Sequence, residues 1–189
     1  RRYSSGLIFS VRQQRGSRGE KPGRPRCCHF GLPKQSVSGE YCGGMRKIGL
    51  LNGPNLNMLG TREPEVYGTR SLDDIVADLR TYAGERGAAL RDHQSNVEGH
   101  LVDAIQEAMT WADGIVFNPG GYTHTSVALR DAIAGCGIPV VETHMSNVHA
   151  REEFRANSLL SGVCVGVICG FGVTSYKLAI DAVISHLDG

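Results

Sequence analysis

Short apolar runs alternate with amphipathic stretches along residues 45–189 of this 189-residue chain. Five runs are strand-like: RKIGLLN (46–52), AALRDHQ (88–94), GIVFN (114–118), IPVVETH (138–144) and GVCVGVIC (162–169). AALRDHQ is the weakest of the five. The last three have the near-continuous apolar character of parallel strands that are buried on both faces. The pattern therefore predicts five strands separated by helices.

Apolar residues at helical spacing lie between the strand-like runs. The first predicted helix has its inner stripe at Leu72, Ile75, Val76 and Leu79. Ser71 can cap this helix, with Asp74 three residues later. Ser95 and Glu98 resemble a capping box before a second helix. The predicted inner face of that helix is Leu101, Val102, Ile105 and Met109. Further helices are expected around 125–135, 150–157 and 173–187.

Five βα units in succession predict an α/β fold. The sheet is expected to be parallel, doubly wound and five-stranded, of the flavodoxin type with strand order 2-1-3-4-5. In that order strands 1, 3 and 4 are neighbours, and such sheets bind ligands beyond the carboxyl ends of their strands. Polar segments follow all three strands, and we expect them to converge on one pocket: NGPN with REPEVYG, NPGGYTHTS, and ETHMSNVHAREEFR.

Composition separates residues 1–44 from the predicted domain at 45–189. The first segment is rich in Gly, Ser, Pro and Arg, has only Glu20 and Glu40 as acidic residues, and shows no sustained period. It is expected to be mostly disordered. Three interpretations stay open: a remnant of upstream translation or cloning, a transit-like presequence, or a nucleic-acid-binding arm. The first is favoured, so no nucleic-acid partner is expected.

Candidate chemistry begins with Glu142 and His144, which are two residues apart on a strand and should share one face. A carboxylate there would orient and favour a protonated imidazole, which makes His144 a candidate general acid. A structural histidine is the alternative. Asn118 and His124 flank a pair of glycines that lets backbone approach a ligand, although Asn before Pro is also an ordinary turn former.

Four charged or phenolic side chains add further candidates. Arg151 and Arg155 are four apart on a predicted short helix, where they could bind an anion or merely form a solvated surface. Tyr67 could act as a base only if nearby cations stabilised its phenolate, and Arg62 on the same loop could supply that charge. Both loop residues could equally be packing or surface residues.

Cofactor and membrane signals are weak. The His, Cys and acidic spacings match no zinc pattern, and a lone Gly-Phe-Gly at 170–172 is poor evidence for phosphate binding. No apolar run approaches the ~18 residues of a membrane span, so a soluble protein is expected. The unpaired cysteines of the body suggest buried thiols in a reducing compartment, which we take to be the cytoplasm.

Four motifs together closely resemble the type II 3-dehydroquinate dehydratases: LNGPNLNMLGTREPEVYG, QSNVEGHLVDAI, NPGGYTHTSVALRDA and ETHMSNVHAREEFR. The resemblance covers essentially residues 45–189. It implies a flavodoxin-like subunit, assembled as trimers into dodecamers. It also implies reversible trans-dehydration of 3-dehydroquinate to 3-dehydroshikimate through an enolate, in the shikimate pathway, without metal or organic cofactor.

The resemblance also implies catalytic roles for particular residues. Tyr67 matches the base that removes the proton at C2, and Arg62 matches the lid arginine that favours phenolate. Asn55 would hold a water against the developing enolate oxygen. His144, oriented by Glu142, resembles the acid that protonates the departing C1 hydroxyl.

Binding roles follow in the same way. Asn118, His124 and Arg155 match residues that bind substrate hydroxyls and carboxylate. The Met145 and Ser146 backbone would contribute to carboxylate recognition, although the family usually has another aliphatic residue at position 145. Arg151 matches a residue that supports the surroundings of the base. Asp131 matches an aspartate that reaches the site of a neighbouring subunit.

Other functions remain open beside this one. Quinate catabolism uses the same reaction, and a non-catalytic flavodoxin-like binding module would not need Arg62, Tyr67 and His144 together. An unrelated enzyme for the reaction uses a lysine Schiff base. The body offers only Lys47 and Lys177, neither of which lies in the three polar segments.

Overall fold

The computed structural model describes residues 44–60 and 70–189. The predictions made for residues 1–43, and those made for Arg62 and Tyr67, fall outside this part of the chain. Across the described residues, every helix is too short or too polar to span a bilayer.

Five strands form where the apolar runs predict them: β1 (Arg46–Asn52), β2 (Ala88–Gln94), β3 (Gly114–Asn118), β4 (Val140–His144) and β5 (Gly166–Cys169). All pair in parallel, in the order β2-β1-β3-β4-β5, which confirms the predicted topology. Asn52 at the end of β1 pairs with Asn118 at the end of β3. The two strands therefore end level with each other, and the loops that follow them start side by side.

Within residues 44–60 and 70–189, four α-helices cover the sheet: α1 (Leu72–Gly84), α2 (Glu98–Ala108), α3 (Val127–Cys136) and α4 (Thr174–Leu187). Alternate residues of β1 face opposite sides, so Leu50 packs in the core formed with α1 and α4, while Leu51 packs in the core formed with α2 and α3. Fully burying each such side chain contributes roughly 1.5–3 kcal/mol. The sheet is thus held from both faces, which makes its carboxyl edge a rigid platform.

Helix starts agree with the sequence in one case and differ in another. Ser71 Oγ accepts from the Asp74 N–H, and the Asp74 carboxylate accepts from the Ser71 N–H, so the first predicted cap is confirmed as a full capping box. The capping box predicted at Ser95 is wrong. Ser95 Oγ accepts from the Val97 N–H, 3.0 Å away, and so closes the turn before the helix, and α2 begins at Glu98.

The end of α2 also differs from the prediction. The helix ends at Ala108, so Met109 leaves the helical face and is 49% exposed instead of lying on the inner side.

Two further segments, the predicted short helix and the last strand, also differ from the predictions. The expected short helix at 150–157 is replaced by two 3-10 turns, Val148–Ala150 and Glu153–Ala156. The last strand starts only at Gly166 and is not buried on both faces, with Val165 and Val167 exposed. The physical reason is that β5 lies at the edge of the sheet, where its outer side has no neighbouring strand.

Candidate active site

A cavity of about 210 Å³ opens at the carboxyl ends of β1, β3 and β4. Its walls come from the three polar segments that follow those strands. The predicted site residues that line it are Asn55, Asn118, His124, His144, Met145, Ser146, Arg151 and Arg155. Such an edge, near the point where the strand order reverses, is where doubly wound sheets bind ligands.

The loops after β1 and β3 approach each other so closely that glycine is required. The Gly53 N–H donates to Asn118 O over 2.7 Å. A Cβ on Gly53 would lie 2.3 Å from Pro119 O, well inside van der Waals contact. Gly120 has a φ of 57°, in the left-handed region that favours glycine. This contact holds two walls of the cavity together.

Asn55 adopts a left-handed backbone, with φ 66° and ψ −3°, at the start of the 3-10 turn Leu56–Met58. Asn is one of the few residues other than Gly that reach this region readily. The Asn55 N–H donates to Asn96 Oδ1 over 2.9 Å, and Gln94 Nε2 donates to the same oxygen. The end of β2 therefore sets the position of Asn55 in the cavity wall.

His144 and Glu142 form a hydrogen-bonded pair at the centre of the site. His144 Nε2 lies 2.6 Å from Glu142 Oε1, and the Glu142 side chain has no exposed surface. A carboxylate only accepts hydrogen bonds, so Nε2 carries the proton in this contact. Nδ1 is then the nitrogen available to a ligand. It accepts a hydrogen bond when the ring is neutral and donates one when the ring is protonated.

Two hydroxyl groups complete the surroundings of Glu142. Thr123 Oγ1 donates to Oε1, and Ser158 Oγ lies 3.1 Å from Oε2. Burial raises the pKa of Glu142, but the hydrogen bonds from His144, Thr123 and Ser158 outweigh that effect and lower its pKa below the ordinary 4.5. Glu142 is thus a carboxylate at neutral pH and a fixed negative charge behind His144.

Sequence reasoning missed both hydroxyl residues. Thr123 lies inside the NPGGYTHTS motif, so the motif itself contained the signal. Ser158 follows the last quoted motif by three residues and offered no comparable signal, because its contact with Glu142 depends on how the chain returns after the 3-10 turns.

His124 and Asn118 present complementary groups to the cavity. His124 Nδ1 lies 2.7 Å from the backbone carbonyl oxygen of Asn157, so Nδ1 carries the proton and Nε2 of the neutral ring is an acceptor. Asn118 Nδ2 donates to the Tyr176 hydroxyl over 2.7 Å, which leaves one N–H of the amide as a donor. A ligand hydroxyl, which both donates and accepts, suits this pair.

Two arginines give this part of the cavity a positive charge. Arg155 Nε lies 2.7 Å from Glu152 Oε2, and Arg151 Nε lies 3.5 Å from the same oxygen. Arg151 lies between the two 3-10 turns, so the predicted shared helical face is wrong, yet both side chains reach the cavity. Guanidinium groups in a cavity wall are suited to binding the carboxylate or phosphate of an anionic ligand.

Two predicted site residues in the described part of the chain do not line this cavity: Glu142, which is buried behind His144, and Asp131. Asp131 lies exposed on α3. In residues 44–60 and 70–189, no group of three or more His, Cys, Asp or Glu side chains could hold a metal ion. The described site brings together a histidine–carboxylate pair, an Asn–His pair and two arginines.

Comparison with known proteins decides the family. The family model described as Dehydroquinase class II matches residues 46–184. The chain belongs to this family. The "3-dehydroquinate dehydratase" of Hahella chejuensis is 56% identical over 146 residues, which are 77% of this chain and 99% of that protein. The protein of the same name from Prochlorococcus marinus is 53% identical over 138 residues, 73% of this chain and 95% of that protein.

Solved structures of the family agree. The type II dehydroquinase of Butyrivibrio crossotus matches with a TM-score of 0.73 and 45% identity, over 75% of this chain and 99% of that one. That of Propionibacterium acnes matches with a TM-score of 0.72 and 38% identity, over 74% and 97%. Membership of the class II dehydroquinases, predicted from four sequence motifs, is confirmed, as is the flavodoxin-like fold.

Proposed function

We propose that this chain is a type II 3-dehydroquinate dehydratase, which converts 3-dehydroquinate to 3-dehydroshikimate and water in the shikimate pathway. The observation that carries the proposal is His144, which lines a cavity together with two arginines and is hydrogen-bonded to the buried Glu142 behind it, in a chain of the class II dehydroquinase family. The reaction needs one base and one acid that act on a small polyhydroxylated anion. His144 is the candidate for the acid.

The proposed reaction starts with proton removal. Tyr67 as phenolate, favoured by Arg62, takes the proton from C2 of the substrate, and the electron pair of the C–H bond moves into an enolate. Asn55 holds a water that donates to the enolate oxygen. The position of Asn55 in the cavity wall, set by Asn96, supports this role.

The second step is departure of the hydroxyl. The enolate re-forms the carbonyl, its electrons make the C1–C2 double bond, and the C1–O bond breaks. Protonated His144 gives the Nδ1 proton to the leaving oxygen, so water departs. Glu142 supports this step because its buried negative charge stabilises a protonated ring and its bond to Nε2 leaves Nδ1 as the ring nitrogen available to the substrate.

Substrate binding completes the proposal. Asn118 and His124 bind ring hydroxyls as donor and acceptor. Arg155, with the Met145 and Ser146 backbone, binds the carboxylate, and Arg151 supports the surroundings of the base. The cavity position of each of these residues supports its assignment. No metal or organic cofactor is needed, because proton transfers alone balance the loss of water.

The test is the enone ultraviolet absorbance that appears when the full chain is mixed with 3-dehydroquinate. His144→Ala is the test variant, and His186→Ala is its matched control, since His186 lies exposed in the last turn of α4. We expect activity in the parent chain and in His186→Ala, and a loss of ~10²-fold or more in kcat for His144→Ala. A folded but inactive parent would refute the assignment and favour a non-catalytic binding module. Quinate catabolism would use the same reaction, and growth phenotypes on quinate would distinguish it.

Assembly belongs to the proposal as well. Trimers would assemble into dodecamers, and Asp131 would reach the site of a neighbouring subunit. Its exposed place on α3, away from the cavity of its own subunit, supports this, as do the exposed apolar residues Val165, Val167 and Phe171 at the β5 edge. Sedimentation velocity should give a twelve-subunit mass. A monomer with full activity would contradict both statements.

Residues 45–189 form the catalytic domain of this proposal, and residues 1–44 are an extension without part in the reaction. The family match over 46–184 supports this division. We place the protein in the cytoplasm, because Cys136, Cys164 and Cys169 carry free thiols, which suits a reducing compartment. Removing residues 1–44 should leave kcat/KM unchanged.

A further inference from the structure

A chain of three buried polar side chains runs from the cavity wall into the core under α4. Asn118 Nδ2 donates to the Tyr176 hydroxyl over 2.7 Å, and that hydroxyl donates to Asn52 Oδ1, also over 2.7 Å. Asn52 is fully buried, and Tyr176 is 1% exposed. Of the three residues, only Asn118 lines the cavity.

The direction of this chain is set by a group that can only donate. The backbone N–H of Gly120 lies 3.2 Å from the side-chain oxygen of Asn118. Because an N–H must face an acceptor, Oδ1 is the amide atom on that side, and the NH2 group faces Tyr176. The phenol oxygen then accepts from Asn118, so its own proton goes to Asn52 Oδ1. Rotating the Asn118 amide by a half-turn would set two donors against each other at Gly120.

The buried position of the Tyr176 phenol keeps it neutral, so it can donate to Asn52. Its ring packs in the apolar core between the sheet and the α1–α4 face, among residues such as Ile180 and Val116. Burial raises the pKa of Tyr176, while the bond from Asn118 opposes the rise to a smaller extent. The phenol therefore remains neutral and keeps its proton for Asn52.

We propose that Tyr176 is a positioning residue for the cavity, which locks the Asn118 amide so that its second N–H is presented to the ligand. The ligand group at this place must then be a hydrogen-bond acceptor, such as a hydroxyl oxygen. This inference rests on the proposed function, since it assigns a supporting group to Asn118. Tyr176 touches no ligand and acts only through its neighbour.

A double-mutant cycle tests the inference in the full-length chain. Tyr176→Phe removes only the hydroxyl, and Asn118→Ala removes the group through which it acts. We expect Tyr176→Phe to lower kcat/KM about tenfold, mainly through KM, because a lost hydroxyl contact weakens ground state and transition state alike. In the Asn118→Ala background the same change should have little further effect. An equal loss in both backgrounds, or none in either, would overturn the inference.

Tyr82→Phe is the matched control. Tyr82 donates to Asp181 Oδ2 over 2.8 Å on the outer side of the same helix pair, away from the cavity. Removing the Tyr82 hydroxyl should leave KM unchanged both in the parent chain and in Asn118→Ala. If Tyr176→Phe fails to fold, Asn52→Ala takes its place, since it removes the acceptor of the phenol proton. A KM rise that vanishes in Asn118→Ala supports the inference, and an unchanged KM overturns it.

A second readout does not depend on turnover. The side-chain amide signals of Asn118 in NMR spectra should shift in Tyr176→Phe and stay in place in Tyr82→Phe. Unchanged signals in Tyr176→Phe would overturn the inference. A wrong functional assignment would instead show as an inactive parent chain whose Asn118 signals still respond to Tyr176→Phe, so the two failures are distinguishable.

Discussion

The hydroxyl of Ser158 lies 3.1 Å from Oε2 of Glu142, the carboxylate whose other oxygen contacts His144. The same Ser158 Oγ lies 2.8 Å from Thr123 Oγ1, so residues from the loops after β3 and β4 meet behind the proposed acid. A fully buried carboxylate is costly unless donors surround it. The contacts that tie the loops together are therefore the same ones that keep Glu142 ionised.

Replacing the carboxylate should impair the acid. In Glu142→Gln, His144 keeps a neighbour of similar shape but loses the negative charge that favours its protonated form. We expect kcat to fall by ~10²-fold, with a smaller change in KM. Steady-state rates over a range of substrate concentrations measure kcat and KM together. An unchanged kcat would contradict the role given to Glu142.

Glu142 also predicts how stability depends on pH. Its pKa is lowered in the folded chain, so its contribution to stability is present above the ordinary value of 4.5 and is lost as pH falls through the lower folded value. Below about pH 5, the free energy of unfolding measured in urea should therefore fall more steeply for the parent than for Glu142→Gln. Asp74 and Glu152 have lowered pKa values too, but they are common to both proteins and cancel in the comparison. Parallel curves would show that Glu142 makes no such contribution.

The hydroxyl of Thr123 should matter more than its shape. Thr123→Val keeps the volume but leaves Glu142 Oε1 with one donor fewer in a buried place, so the free energy of unfolding should fall by about 1–3 kcal/mol. Thr110→Val is the control, since the Thr110 hydroxyl donates to Glu107 O on the exposed end of α2. Its effect should stay within about 0.5 kcal/mol. Equal effects of the two substitutions in urea titrations would rule out a special role for the buried bond.

The contact between the loops after β1 and β3 should not tolerate a methyl group. Gly53→Ala would place its Cβ against the Pro119 carbonyl, so we expect a loss of at least about 2 kcal/mol of unfolding free energy and a strong loss of activity. Gly99→Ala is the matched control. Gly99 lies in α2 with open space around its Cα, and alanine there should stabilise by up to about 1 kcal/mol. Calorimetric unfolding compares the two, and a neutral Gly53→Ala would disprove the close approach.

The sequence by itself determined the elements and their arrangement. The apolar runs at the five strands and the stripe beginning at Leu72 are local patterns, because side chains alternate along a strand and recur every three to four residues along a helix. Five βα units then leave few possible topologies, and the order β2-β1-β3-β4-β5 is one of the common ones. The proximity of Glu142 to His144 followed in the same way, from their spacing of two on one strand.

Tertiary structure alone decided the contacts that join distant segments. Ser158 meets Glu142, and Tyr176 meets Asn52 and Asn118, across separations that no local period encodes. The local pattern predicts a cap at Ser95, whereas the helix starts at Glu98. It also predicts a buried fifth strand, whereas Val167 is exposed because β5 lies at the sheet edge. In each case a residue's partner depends on where the chain returns in space. The residue type determines which hydrogen bonds a side chain can form, and the tertiary structure determines which partner is within reach.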